Sequence, residues 1–261
     1  MNTTSRTILV FGLLLAAVVF ASLIYRNSTG EPGGGPASND STAIEPVDEA
    51  TLHPELKLGL NAVAEDRDED AMGHFRAVPT DSPGYPTALR HLAVLNARRD
   101  NYDEAIASLL QLARQYPDDP EVHASLGWVF YLAERYTDAE FAALRALELD
   151  PAHVSTRFNI GLYRIAQART QLAISSYIRA MRNDPGGTQV TRHRDRLRVF
   201  HDEHPDSPAP HYALAFFADS MRDPRTEIEE LQHYLRLATA GPEKEAAEKK
   251  LEQLRGEAGG V

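Results

Sequence analysis

Histidine and carboxylate side chains that could bind a metal come closest together in the sequence at His201-Asp202-Glu203-His204. These are zinc-ligand types, but their order differs from the HExxH arrangement, and Pro205 would end a helix directly after them. The sequence contains no GxSxG turn, phosphate-binding loop or glycine-rich dinucleotide turn, and the lack of any cysteine excludes disulfides and thiolate catalysis. We therefore expect no catalytic residue, no metal, no cofactor and no enzymatic activity.

The only basic cluster of the chain could serve a different chemistry, the recognition of anions. It consists of Arg192, His193, Arg194, Arg196 and Arg198, in a protein whose 38 acidic and 27 basic residues give a formal net charge of -11. An acidic protein repels phosphate backbones, so nucleic acid is not an expected partner. We interpret the cluster as a solvated helix face; contact with an acidic partner or a lipid headgroup is the alternative.

A repeat determines the elements that would position these residues. From Leu52 to Gly187 the chain consists of four consecutive blocks of 34 residues, at 52–85, 86–119, 120–153 and 154–187. Three columns of the repeat are nearly invariant: Ala71, Ala105, Ala139 and Ala173; Gly59, Ala93, Gly127 and Gly161; Pro83, Pro117, Pro151 and Pro185. Small residues are needed where two helices cross closely, and proline stops a helix. Each block therefore predicts one helical hairpin.

A 34-residue period with these columns resembles the tetratricopeptide repeat (TPR). The resemblance implies an all-α fold, a TPR solenoid in which helical hairpins stack into a right-handed superhelix. It also implies that the first helix of each hairpin lines a concave, protein-binding face. Larger apolar residues should fill the space between helices, among them Leu58 and Leu92 on first helices and Phe75 and Leu109 on second helices.

The geometry of the TPR family places the candidate protein-binding groove at eleven positions: Leu56, Leu60, Val63, Arg90, Val94, Ala97, Trp128, Tyr131, Phe158, Leu162 and Ile165. This set is mostly apolar and aromatic, so the expected partner is an amphipathic helix or an extended apolar segment of another protein. The side chains with which some TPR adaptors clamp an acidic carboxyl terminus are absent. Trp128, the only tryptophan, is the expected anchor. The alternative is that the chain covers it with its own helix or linker.

Beyond Gly187 the register of the repeat changes. Pro205 follows Pro185 by 20 residues instead of 34, and Ala215 then follows at the interval seen within the repeats. We predict a single irregular helix over residues 188–204, a divergent TPR-like hairpin over 208–239 and a capping helix over 242–256. A terminal helix with a polar outer face is needed because a solenoid otherwise leaves its last apolar face exposed.

The amino-terminal part predicts a membrane anchor. After a short head, residues 1–6, the segment 7–25 contains 19 residues without a charge, about 28 Å as a helix and close to the thickness of a bilayer core. A cleaved signal peptide is the alternative. Residues 27–50 are rich in Gly, Pro and Ser, carry five acids and no base, and predict a disordered linker. The basic residues at the ends of the span weakly favour repeats outside the cytoplasm.

These features together predict a single-pass protein of the inner (cytoplasmic) membrane whose repeats lie on the periplasmic side and bind protein partners without catalysis. Tethering raises the effective concentration of such a scaffold toward other membrane-associated proteins. An envelope-associated assembly is the expected setting. The alternatives are a cytosol-facing, membrane-anchored TPR receptor or adaptor, and a permanent regulatory subunit of an enzyme complex.

Overall fold

The computed structural model describes residues 52–184 and 187–259, and within these ranges the chain forms twelve α-helices and no strand. In chain order they are α1 (Pro54–Ala64), α2 (Asp68–Arg76), α3 (Tyr85–Ala97), α4 (Tyr102–Gln115), α5 (Pro120–Leu132), α6 (Tyr136–Leu149), α7 (Val154–Ala166), α8 (Thr170–Met181), α9 (Thr188–Glu203), α10 (Ala209–Ser220), α11 (Pro224–Leu237) and α12 (Pro242–Gly259). Sequential helices pack as stacked hairpins, which confirms the all-α solenoid class.

Each hairpin turn contains one residue in the left-handed region of backbone space. In the four repeats these are Asp66, Asp100, Glu134 and Ala168, spaced 34 residues apart, with φ between 55° and 64°. Arg222, with φ 57°, holds the equivalent place between α10 and α11. Because L-residues pay a steric penalty in this region, the turn geometry is imposed by the packing of the two helices rather than by residue preference. The same turn in α10–α11 identifies this pair as a fifth hairpin of the same kind.

Small residues stand where the two helices of a hairpin approach most closely. An ideal Cβ on Gly161 of α7 would lie 2.6 Å from the Cζ atom of Tyr177, which is fully buried on α8. A Cβ on Gly127 of α5 would lie 3.0 Å from the carbonyl oxygen of Ala139 on α6. Both distances are shorter than a van der Waals contact allows, so glycine is required for this spacing. The close crossing predicted from the repeat columns is confirmed at these hairpins.

The first repeat departs from the predicted pattern at two points. Leu58 was expected to fill the space between helices, but its side chain is 46% exposed, because no described helix precedes α1 to cover that face. Helix α2 ends at Arg76, well before Pro83. The nearer Pro79 explains this early end, since a proline disfavours helical backbone in the residue before it. The first hairpin is therefore shorter than the other three.

The last four helices complete the described part of the chain. Helix α9 stands alone between two hairpins and packs on α7 and α10 through Val190, His193, Leu197 and Phe200, all of them buried. Helix α12 packs on α11 through Ala247, Leu251 and Leu254.

None of the helices within residues 52–184 and 187–259 combines the length and the apolar character that a membrane crossing needs. The predicted head (1–6), span (7–25) and linker (27–50) lie outside the described residues.

Candidate protein-binding cavity

A cavity of about 290 Å³ lies between the first helices of the repeats and α9. Its walls come from Val63 of α1 and from residues of α3, α5 and α7, and α9 closes one side. First helices of successive hairpins lie next to one another because each hairpin stacks on the preceding one. The repeat thus builds three walls, and the single helix outside the repeat builds the fourth.

Four arginines line this cavity, and they come from two different sources. Arg90 and Arg98 project from α3, whereas Arg192 and Arg196 project from α9. The four-residue spacing of Arg192 and Arg196 places both on one side of the helix. Although the protein as a whole is acidic, this cavity is therefore strongly basic.

Only one carboxylate, that of Glu121 on α5, lines the cavity. Its side chain lies 3.3 Å from the guanidinium of Arg90 and 2.9 Å from the Nε2 atom of His153. The hydrogen bond from His153 holds the pKa of Glu121 below its usual range, and the same bond raises the pKa of His153. Arg90 also donates to the hydroxyl of Ser125, at 3.3 Å. Glu121 is thus already engaged by two cationic side chains of the protein.

Arg196 holds the central position in the cavity. Its guanidinium lies 4.4 Å from the ring centroid of Trp128 and donates a hydrogen bond of 2.8 Å to the Oδ1 atom of Asn159. Within residues 52–184 and 187–259, no carboxylate lies at ion-pair distance from Arg196 or Arg192. Burial lowers the pKa of Arg196, but an arginine keeps its charge in proteins. The ring of Trp128 and the amide of Asn159 compensate part of the desolvation of this cation.

Two histidines beside the arginines are held neutral. Burial, reinforced by the neighbouring charge of Arg90, lowers the pKa of His91 to about 4. His193 is completely buried and stacks on Phe158 at 5.1 Å, and burial holds its pKa far below the usual value. Both rings therefore act as packing groups at neutral pH, and the positive charge of the cavity comes from the arginines.

The eleven predicted groove residues fall into two groups in the structure. Leu56, Ala97, Phe158, Leu162 and Ile165 are at most 1% exposed and belong to the hydrophobic cores, so they are not open to a partner. Helix α9 covers this end of the groove, as the stacking of His193 on Phe158 shows. The remaining six are partly exposed, and four of them line the cavity: Val63, Arg90, Val94 and Trp128.

The other two predicted groove residues, Leu60 and Tyr131, pack against the cores. Leu60 lies against the core of the first hairpin. Tyr131 stacks on Trp128 at 5.2 Å and on the buried Tyr163 at 5.4 Å. This stack connects the indole in the cavity to the core of the solenoid, and it restricts the orientation of Trp128.

The basic cluster of α9 is divided between the interior and the surface. Arg192 and Arg196 face the cavity and His193 lies in the core, while Arg198 pairs with Asp195 at 3.6 Å on the exposed side. The expectation of a single solvated face was therefore wrong for half of the cluster. Sequence reasoning also missed Arg98, Glu121 and His153 as lining residues. The spacing of Arg192 and Arg196 was the one signal that could have indicated a cationic wall.

The histidine pair near the end of α9 packs against aromatic rings. His201 lies 4.3 Å from the ring of His211, and His204 lies 4.3 Å from that of Phe200. Within residues 52–184 and 187–259, no three histidine or carboxylate side chains are grouped so that they could hold a metal ion.

Solved structures with a similar fold are TPR proteins. A TPR protein of Thermus thermophilus is 17% identical, with 77% of this chain and 96% of that chain covered at a TM-score of 0.50. MamA of Desulfovibrio magneticus is 16% identical over 71% and 96% of the two chains, with a TM-score of 0.43. YrrB, described as having an unusual peptide-binding site, is 17% identical over 75% and 91%, with a TM-score of 0.42. At these identities the likeness concerns the fold alone.

A comparison with curated proteins found no match. The family model described as tetratricopeptide repeat matches residues 56–120, 92–153 and 126–188, and these matches together span just over half of the chain. They coincide with the four hairpins from α1 to α8. The chain therefore belongs to the tetratricopeptide repeat family.

Proposed function

We propose that this protein is a non-catalytic scaffold that binds a segment of a partner protein in the cavity between its first helices and α9. The observation that carries the proposal is the partly exposed Trp128, which lies under Arg196 in an open cavity while its neighbours on the same face are buried. Aromatic and arginine side chains are the residue types that most often dominate binding energy at protein interfaces.

A membrane anchor at residues 7–25 is part of this proposal. It is supported by the 19 uncharged residues of that segment and by the polar, base-free stretch that separates it from α1. The anchor holds the repeats near the inner membrane, with the array on the periplasmic side. Protease treatment of intact cells tests this topology: repeats outside the cytoplasm are digested, and digestion only after lysis contradicts the assignment.

The test of the binding function is crosslinking and affinity capture of the full-length protein from its native cells. Trp128→Ala should lose its partners, and Trp128→Phe, which keeps an aromatic ring in the cavity, should retain most of them. Phe141→Ala is the matched control, since Phe141 is 77% exposed on α6 and does not line the cavity. Circular dichroism establishes that each variant is folded. Equal capture by Trp128→Ala and Phe141→Ala would show that partners bind elsewhere.

A further inference from the structure

The arginines of the cavity lack the negative charges that their number calls for. Arg90 is paired with Glu121, and Arg98 lies 3.1 Å from Asp68. Arg192 and Arg196 have no carboxylate at ion-pair distance within the described residues. A charge taken out of water without a counter-ion is destabilising, so a wall of this kind costs stability unless it is used. A ligand with at least two negative charges complements it.

We propose that the cavity binds an extended acidic segment of a partner protein, whose carboxylates contact Arg192 and Arg196 while its backbone lies along α5 and α7. This inference rests on the proposed binding function and identifies the chemistry of the partner. It replaces the apolar partner expected from the sequence, because the apolar groove residues at the α9 end are buried in the core.

The geometry of the cavity fits carboxylates in three respects. Arginine presents several N–H donors in a plane and binds carboxylates in a bidentate manner. Ser125, Thr156 and Asn159 also line the cavity, and they supply hydrogen-bonding groups for the peptide backbone. Arg196 is held in place by Trp128 and Asn159 before any ligand arrives, which reduces the entropy lost on binding.

The source of the site distinguishes it from the repeats themselves. Two of its four arginines belong to α9, which interrupts the register of the repeat and is attached to the solenoid by the buried Leu197 and Phe200. The interruption thus has a consequence for recognition: it places two cations opposite the first helices. A regular repeat at this place would have continued the stack and left the face open.

The experiment is a titration of the full chain, in a nonionic detergent, with fluorescein-labelled hexaglutamate and with hexaglutamine as the neutral control. Binding is followed by anisotropy and by the emission of Trp128, the only tryptophan of the protein. Hexaglutamate should bind and change the emission of Trp128, and hexaglutamine should do neither. Raising the salt from about 0.1 M to 1 M shortens the Debye length from about 10 Å to 3 Å and should weaken binding strongly.

Substitutions locate the site. Arg196→Gln and Arg192→Gln should each weaken hexaglutamate binding by about tenfold or more, because each removes a charge-assisted contact. Arg192 is exposed, so its substitution leaves the fold intact even if that of Arg196 disturbs α9. The matched control is Arg225→Gln, an exposed arginine of α11 that lies outside the cavity and should bind normally. Equal loss in all three variants would show unspecific attraction and overturn the proposal.

The chain's own linker carries five acids and could compete for the same arginines. The titration is therefore repeated with a full-length variant in which Glu31, Asp40, Glu45, Asp48 and Glu49 are replaced by their amides. Binding in either form supports an acidic-segment site, and tighter binding in the neutralised form identifies the linker as a competitor. Absence of binding in both forms overturns the proposal, as does an equal response of Trp128 to inorganic phosphate, which would indicate a small-anion site.

Failure of this inference and failure of the proposed function give different results. If hexaglutamate does not bind but Trp128→Ala still loses its native partners, the cavity is a binding site for a partner of another chemistry. If Trp128→Ala keeps its partners, the cavity is not the binding site.

Discussion

The close crossing of α7 and α8 at Gly161 leads to a quantitative prediction. A Cβ at this position would lie 2.6 Å from the Cζ atom of Tyr177. That ring cannot withdraw easily, because it is fully buried and lies 4.7 Å from the ring of Phe217 and 6.2 Å from that of Phe158. The substitution Gly161→Ala must therefore push the two helices apart or force the tyrosine out of its rotamer.

Two effects of opposite sign determine the magnitude. Extra volume in a well-packed core costs about 1–3 kcal/mol. Replacing glycine by alanine inside a helix returns about 1 kcal/mol through helix propensity. Since Tyr177 is held by rings on two sides, we place the first effect near its upper end, which leaves a net loss of about 1–2 kcal/mol. For a domain of this size that corresponds to a melting temperature about 2–8 °C lower.

The assay is thermal unfolding by circular dichroism, with Gly73→Ala as the matched control. Gly73 lies within α2, and a Cβ there would meet no atom within 4 Å. This variant keeps only the propensity gain and should melt about 2–4 °C higher than the natural protein. If Gly161→Ala melts at or above the natural temperature, the crossing is not sterically limited and the packing argument is refuted.

Three further predictions concern charge and backbone. Because burial lowers the pKa of His91 to about 4, the unfolded state binds more protons between pH 6.5 and 4 and stability falls with pH in that window by up to about 3 kcal/mol; urea midpoints of His91→Gln should lack this component. Glu140, 8% exposed and bonded to two arginines, should cost about 3–5 kcal/mol when changed to Ala, whereas Asp138→Ala, which breaks an exposed pair, should cost less than about 1 in the same denaturation assay. Ala168→Gly should raise the melting temperature slightly, by about 0.5–1 kcal/mol of stability, since φ is 55° there; an unchanged or lower value contradicts the strain.

Local rules were sufficient for the hairpins. The alanine and glycine columns mark positions where backbones approach, and Ala71, Ala105, Ala139 and Ala173 are all fully buried. This inference works because the contact between two helices of a hairpin is short in sequence and is repeated, so every block tests the same rule. It was less accurate at the first repeat, where Leu58 lacks a preceding described helix and Pro79 ends α2 early.

The binding face was less predictable. Family geometry correctly brought Val63, Arg90, Val94 and Trp128 to one cavity, but it assigned Phe158 to the open groove, where His193 of α9 now covers it. Its placement follows from the packing of Leu197 and Phe200 on distant residues, which no period in the sequence describes.

The amino-acid sequence by itself determined the all-α class and the four hairpins with their close crossings, because those depend on residue types repeated at fixed intervals. Only the tertiary structure decided where α9 lies, that it buries part of the expected apolar groove, and that it brings Arg192 and Arg196 to face Arg90 across the cavity. The physical reason is that the charge of a cavity is a sum over side chains from distant elements. That sum is defined only when packing has brought the elements together.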